Sequence, residues 1–159
     1  MYKIIAVIFL LAIALVVGRM VFLSFNSRVP DTSLVNGKLR PCPGTPNCVS
    51  SEEQEDESKK ITPLIFSSSE EQAWEDLRAA IEKSGGIVQR NDSKYLWATY
   101  TTRLFRYVDD MEFRLVPEQN LIHVRSGSRV GKSDLGVNRK NVERVRELFN
   151  LPAENHPQK

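Results

Sequence analysis

The sequence is poor in the residue types that several familiar kinds of functional site require. Its 159 residues include only two cysteines and two histidines, a supply that argues against the usual four-ligand zinc modules. Aromatic residues make up 8% of the chain, which does not favour a surface for stacking nucleic-acid bases. The formal net charge of +2 argues against a basic nucleic-acid-binding protein. We therefore expect no metal, no cofactor and no nucleic-acid partner.

What the chain has in excess is an apolar run at its start. Residues 4–25 are nearly all apolar, and as a helix they would extend roughly 33 Å at ~1.5 Å per residue, enough to cross a bilayer. A cleaved signal peptide is the alternative, but the small residues Ala12 and Ala14 lie inside the run rather than after it. We expect an uncleaved single-span anchor over residues 1–25, with Arg19 reaching the interface. No cysteine follows closely, which excludes a lipoprotein anchor.

The orientation of this anchor rests on conflicting signals. Lys3 precedes the run, whereas Arg28, Lys38 and Arg40 follow it, so the positive-inside rule would place the rest of the chain in the cytoplasm. The cysteines argue for the opposite side, because a disulfide needs an oxidising compartment. We expect an inner (plasma) membrane protein whose domain faces the periplasm or the cell exterior.

Residues 26–60 have the composition of a linker that carries a small cysteine loop and an acidic run. A disulfide between Cys42 and Cys48 would close a short loop worth ~2 kcal/mol by chain entropy. Two unpaired thiols are the alternative, and a metal site would have to recruit His123 or His156. The acidic run at 52–57 is typical of a solvated loop.

A folded domain is expected over residues 61–150, followed by a tail at 151–159. Ser68 and Glu71 form a capping box that predicts the start of a helix, and Gly85 with Gly86 predicts its end. The apolar stripe of that helix consists of Trp74, Leu77 and Ile81. A second helix is predicted over 134–149, and strands over 87–89 and 95–102.

The clearest pattern is a hairpin of strands 108–116 and 121–128 around a turn at 117–120. Alternation places apolar residues on one face and polar residues on the other. A four-residue loop predicts a specific register. The expected facing pairs are Leu115–Ile122, Phe113–Val124, Glu112–Arg125 and Arg114–His123. The fold class is therefore α+β, a two-layer domain of about four antiparallel strands flanked by an N-terminal and a C-terminal helix, after one N-terminal transmembrane helix.

The stretch 125–140 is the chemically unusual part of the chain. It is polar, punctuated by glycine, and leads from a strand into a helix, a setting that suits an anion. Its glycine spacing at 127–131 is one residue short of a P-loop. The candidate ligand-binding residues are Arg125, Ser126, Ser128, Arg129 and Arg139.

An ion-pair network that only supports the fold is the competing interpretation of the same stretch. In that interpretation Arg125 pairs with Glu112, and acidic residues meet Arg129 or Arg139. The supporting network would consist of Asp109, Asp110, Glu112, Asp134 and Asn138. A hydrolytic or transfer enzyme with Asp110 or Glu112 as base is a further alternative, although no nucleophile, base and orienting group are tied together by a motif.

Three segments together resemble the uncharacterised family known as domain of unknown function 1499. They are PNCVSS at 46–51, FRYVDDMEF at 105–113 and RSGSRVGKSDLGVNR at 125–139, and the resemblance covers about residues 40–150. It implies an exported, membrane-anchored or lumenal protein, and it carries no established activity. It also implies that the candidate ligand-binding residues and the network residues belong to one shared family surface.

From these observations we expect a single-pass, membrane-anchored, extracytoplasmic module. The residues favour binding of an anionic small molecule, a lipid head group or a membrane protein partner. The enzymatic and purely structural alternatives stay open.

Overall fold

The computed structural model describes residues 2–52, 54–103 and 105–151. Helix α1 covers Tyr2–Phe25, is strongly apolar, and is not buried along its most apolar stretch. It is long and apolar enough to cross a membrane, and a signal sequence has the same character. The expected N-terminal apolar helix is therefore present.

Helix α2, Glu70–Ser84, begins one position later than the sequence pattern indicates. Its N-cap is Ser69, whose hydroxyl accepts a hydrogen bond from the backbone N–H of Gln72 at 3.2 Å. The predicted capping box of Ser68 and Glu71 is therefore wrong, because adjacent serines offer the same cap chemistry and the packing of the helix selects one of them. The predicted end is confirmed: Gly85 has a φ of +94°, a left-handed conformation that favours glycine.

Six antiparallel strands form one sheet in the order β1-β6-β5-β4-β3, with β2 also paired to β6. Their bounds are Cys48–Ser50 (β1), Leu64–Ile65 (β2), Ile87–Asn91 (β3), Tyr95–Thr101 (β4), Val108–Val116 (β5) and Leu121–Ser128 (β6). The α+β class is confirmed. The two short strands, β1 and β2, were not anticipated.

The hairpin of β5 and β6 has the predicted register. Leu115 faces Ile122 and Phe113 faces Val124 on the apolar side, and Glu112 faces Arg125 on the polar side. A 3-10 turn at Pro117–Gln119 joins the strands. The alternation was strong enough to determine the register because a slip of one residue would turn the charged side chains of one strand into the core.

Helix α3, Val137–Phe149, begins three residues after the predicted start at Asp134. The residue before it, Gly136, has a φ of +80°. The Asp134 carboxylate lies ahead of the helix and accepts hydrogen bonds from the backbone N–H groups of Gly136 (3.0 Å) and Asn138 (2.7 Å). Asp134 therefore satisfies free N–H groups of the first turn from outside the helix.

Helices α2 and α3 pack on one face of the sheet and form the core with it. The largest fully buried apolar side chains are Phe113, Leu64, Leu77, Ile81, Leu96, Met111, Ile122, Val124, Val142 and Val145. They come from both helices and from four strands, so one core joins the whole domain.

Part of the segment expected to be a linker is packed against the domain. It contains β1, which pairs with the end of β6, and Leu39, which is buried. The expected disulfide Cys42–Cys48 is present and joins this segment to β1, with a Cα–Cα distance of 5.6 Å.

Candidate functional site

The face of the sheet turned away from α2 and α3 is lined by charged residues, and we call it the polar strand face. Its members are Asp110, Glu112, Arg114, His123, Arg125 and Arg129, with Tyr95 and Trp97 beside them on β4. Both Asp110 and Glu112 are almost completely buried. Carboxylates so far from water require charged or hydrogen-bonding partners.

The first charged pair on this face is Arg129 with Asp110. The guanidinium Nε and Nη2 each donate to a different carboxylate oxygen at 2.8 Å, and the indole Nε1 of Trp97 donates to Oδ1 at 2.8 Å. Three donors to one carboxylate compensate for its burial.

The second pair, Arg125 with Glu112, is arranged in a similar way. Arg125 donates from Nη1 to Oε2 at 2.9 Å, and the Tyr95 hydroxyl donates to Oε1 at 2.8 Å. Burial, reinforced by the Glu112 charge, raises the pKa of Tyr95. The Nε of Arg125 is buried and has no hydrogen-bond partner among the described residues.

A third pair reaches this face from the acidic run. The Glu52 carboxylate accepts hydrogen bonds from Arg114 Nε (2.8 Å) and Nη2 (2.7 Å), and it is buried. The expectation that 52–57 is entirely solvated is therefore wrong for Glu52. Nearby, His123 Nδ1 lies 3.0 Å from the Ser51 hydroxyl, and burial lowers the pKa of the imidazole.

The serines predicted to bind a ligand face the helices instead. Ser126 is fully buried and donates to Asn138 Oδ1 at 2.6 Å. The Asn138 amide in turn donates to the Ser128 hydroxyl and to the Asn47 carbonyl, both at 2.9 Å. Asn138 thus ties the start of α3 to Ser126 and Ser128 of β6 and to Asn47, the residue before β1.

The five predicted ligand-binding residues are therefore not brought onto one surface. Arg125 and Arg129 lie on the polar strand face, whereas Ser126 and Ser128 lie on the opposite face of the same strand, as the period of two requires. Arg139 donates to the carbonyls of Ser58 and Lys60, both at 2.8 Å. Each of these side chains is engaged within the domain.

A different group of cationic residues lines an open cleft of about 470 Å³ between the end of α2, the end of β4 and the start of α3. We call it the cationic cleft. Lys83 comes from α2, Arg103 from the loop after β4, and Arg144 from α3. All three side chains are exposed, and none forms an ion pair within residues 2–52, 54–103 and 105–151.

Polar groups form the wall and floor of the cationic cleft. The Tyr100 hydroxyl lies 2.7 Å from the Ser84 hydroxyl, and burial raises the pKa of the phenol to about 12. Asp109 is buried beside them, and this burial raises the pKa of its carboxyl; the Ser128 hydroxyl, by hydrogen bonding, opposes that shift. An uncharged phenol and a hydroxyl are compatible with an anion held by the three cations.

Sequence reasoning missed Lys83, Arg103 and Arg144. One signal was available, because Val137, Asn141 and Arg144 follow one another at spacings of four and three and so share a face of α3. Their relation to Lys83 and Arg103 depends on the packing of α2 against α3, which the local pattern does not encode.

A second open cleft, of about 580 Å³, lies between the disulfide loop and the acidic run. Its one lysine, Lys59, already donates from Nζ to the Pro43 carbonyl at 2.7 Å and lies 3.6 Å from Asp56. No cluster of three metal-ligating side chains occurs in the part of the chain that the structure describes.

Comparison with known proteins identifies the family of this chain but assigns it no activity. No curated protein matches the chain. The sequence matches the family described as "Protein of unknown function (DUF1499)" over residues 38–149, well over half of the chain. That range includes every strand and both helices of the domain, so the resemblance noted in the sequence is confirmed. The chain belongs to the DUF1499 family.

Proposed function

We propose that the chain is a membrane-anchored module that binds a phosphate-type anion in the cationic cleft. The observation that carries this proposal is the convergence of Lys83, Arg103 and Arg144 on one cleft without an ion-pair partner in the described residues. Cations on separate elements repel one another when they stand close together, and a bound anion relieves that repulsion. The Asn141 amide adds hydrogen-bond donors to the same cleft.

The location that we propose rests on α1 and on the disulfide. An exposed apolar helix of 24 residues suits a membrane span. A disulfide between Cys42 and Cys48 favours an oxidising compartment. The module would therefore face the periplasm or the cell exterior, and a reporter fused to the carboxyl terminus tests this orientation.

Use of Asp110 or Glu112 as a catalytic base has less support. Both carboxylates are buried, and each is already bound by a guanidinium and by an aromatic donor. Their oxygens accept hydrogen bonds from the fold itself, so neither carboxylate presents a free acceptor to a substrate. The polar strand face therefore fits a supporting role in the fold better than a role in catalysis.

Titration calorimetry of inorganic pyrophosphate into the full chain, held in zwitterionic detergent micelles, tests the proposal. We expect saturable binding that Arg144→Ser weakens by about tenfold, the scale of one charge-assisted contact. Lys94→Ser is the matched control, because Lys94 is an exposed cation in the β3–β4 turn, at the other end of β4 from Thr101. Binding that is absent, or that both variants weaken equally, would refute a specific site in the cleft.

A further inference from the structure

The cationic cleft, two loops and the last turn of α1 all lie at one end of the domain. Strand β4 ends at Thr101 opposite Val108, and β6 ends at Ser128 opposite Asp109. The loop after β4, described at 102, 103 and 105–107, and the loop 129–136 therefore leave the sheet at the same end. The Ser24 hydroxyl of α1 donates to the backbone carbonyl of Arg106 in the first of these loops. The apolar helix thus meets the domain at this end.

At this end of the domain, the basic side chains outnumber the acidic side chains that could pair with them. Its exposed cations are Lys83, Arg103, Arg106, Lys132 and Arg144, none of which forms an ion pair in the described part of the chain. Its two acids are not free to pair with them: Asp109 is buried, and Asp134 is occupied with backbone N–H groups of α3. The net positive charge attracts an anionic surface.

An exposed leucine stands in the second loop. Leu135 is 88% exposed and has a φ of +53°, a conformation that leucine rarely adopts. The loop around it is ordered by hydrogen bonds: the Leu135 N–H donates to the Ser133 hydroxyl at 3.4 Å, and Asp134 binds the N–H groups that follow. The fold therefore presents an apolar side chain to solvent at a cost in backbone strain.

We propose that this end of the domain lies on the membrane that α1 enters, and that the cationic cleft binds the phosphate of an anionic lipid head group. This rests on the proposed function of the cleft and names the source of its anion. Leu135 enters the boundary between head groups and acyl chains, where apolar side chains flanked by basic residues bind anionic bilayers. Because α1 tethers the cleft to the bilayer, lipid head groups reach a far higher effective concentration there than a soluble anion does.

The test compares the full chain in nanodiscs of phosphatidylcholine alone with nanodiscs that also contain phosphatidylglycerol. Hydrogen exchange of the loops 102–107 and 129–136 reports their contact with the bilayer surface. Native mass spectrometry reports which lipids stay bound after the protein is released from the nanodisc. The cleft variant is Lys83→Ser with Arg103→Ser and Arg144→Ser. A control with equal charge loss away from the cleft combines Arg78→Ser, Arg90→Ser and Lys94→Ser.

We expect the anionic nanodiscs to slow exchange in both loops by about tenfold or more, and phosphatidylglycerol to remain bound. The cleft variant should lose both effects, and the control variant should keep them. Five of the six substituted side chains are exposed and that of Arg78 is half-buried, so we expect both variants to fold. Melting temperatures close to that of the wild type will verify this.

Equal exchange in the two kinds of nanodisc would overturn the proposal, as would protection that survives in the cleft variant. The pyrophosphate titration separates this failure from failure of the proposed function. Pyrophosphate binding without lipid protection would overturn the lipid assignment and leave a soluble anion as the occupant of the cleft. If the wild-type chain shows neither pyrophosphate binding nor protection in anionic nanodiscs, both proposals are refuted.

Discussion

The guanidinium of Arg129 binds both carboxylate oxygens of Asp110 at 2.8 Å, although the two residues do not face each other in the sheet. The residue opposite Asp110 is Gly127, which has no side chain. Arg129, two positions further along the chain, therefore reaches Asp110 diagonally. With 10% and 2% of their side chains exposed, the two residues form a pair that is almost entirely shielded from water.

Removal of one partner from this pair is predicted to destabilise the domain strongly. Arg129→Met leaves the Asp110 carboxylate buried with Trp97 as its remaining donor, so the free energy of unfolding should fall by about 3–5 kcal/mol. The double variant Arg129→Met with Asp110→Leu should recover most of this loss, because no buried charge is left. Denaturant unfolding of the full chain in detergent, followed by circular dichroism, measures both changes. A double variant less stable than the single variant would contradict this account.

The pH dependence of stability is predicted to include an unfavourable contribution from Asp109. Burial raises the pKa of this carboxyl, the nearby Asp134 and Asp110 raise it further, and the Ser128 hydroxyl lowers it. The folded state therefore binds the proton more tightly than the unfolded state, and stability falls as the pH rises from about 4 through the pKa of the folded state. Asp109→Asn removes this loss, so its melting temperature should exceed that of the wild type at pH 7.

The same measurement well below pH 3.8, the ordinary pKa of this group, is the control for Asp109. Both states of the wild type are protonated there, so the difference between variant and wild type should disappear. The amide of the Asp109→Asn variant also places no negative charge beside the cationic cleft, and pyrophosphate should bind this variant more tightly. A variant that is less stable than the wild type at pH 7 would show that the carboxylate is needed in its charged form.

Loss of the disulfide is predicted to cost about 2 kcal/mol, because the loop between Cys42 and Cys48 is short. The double variant Cys42→Ser with Cys48→Ser should show this loss in denaturant unfolding, and reduction of the wild type should reproduce it. The effect should be local. Amide exchange should accelerate in β1, whereas the β5–β6 hairpin should keep its protection, since its register depends on the core. Equal acceleration in both would contradict a local role.

Substitution of Leu135 is predicted to change stability and membrane contact in opposite directions. Asparagine tolerates the left-handed conformation better than leucine does, so Leu135→Asn should raise the free energy of unfolding by up to about 1 kcal/mol. The same change should weaken protection of loop 129–136 in anionic nanodiscs. Ile65→Asn is the matched control, because Ile65 is 70% exposed on β2, at the opposite end of the sheet. Equal loss of protection in both variants would argue against a specific role of Leu135.

Local patterns predicted the elements that their own residues stabilise. The β5–β6 register followed from alternation, since Phe113 and Leu115 must be buried in the core while Glu112 alternates with them. The Arg125–Glu112 pair followed from that register as the alternative interpretation of the polar stretch. The helix starts were less well predicted, because neighbouring serines are chemically equivalent caps for α2 and Asp134 can cap α3 from outside it.

The apolar N-terminal helix, the α+β class, the cysteine pairing and the hairpin register could all be predicted from the residues alone. These features depend on residues close together in the chain or on a strict period, so short-range sterics and hydrophobic burial are sufficient to define them. The tertiary structure was needed to show that Lys83, Arg103 and Arg144 converge, while Arg125 and Ser126 of the predicted site face opposite sides of the domain. That convergence depends on how α2 and α3 pack across the sheet, and long-range packing of this kind leaves no periodic trace in the sequence.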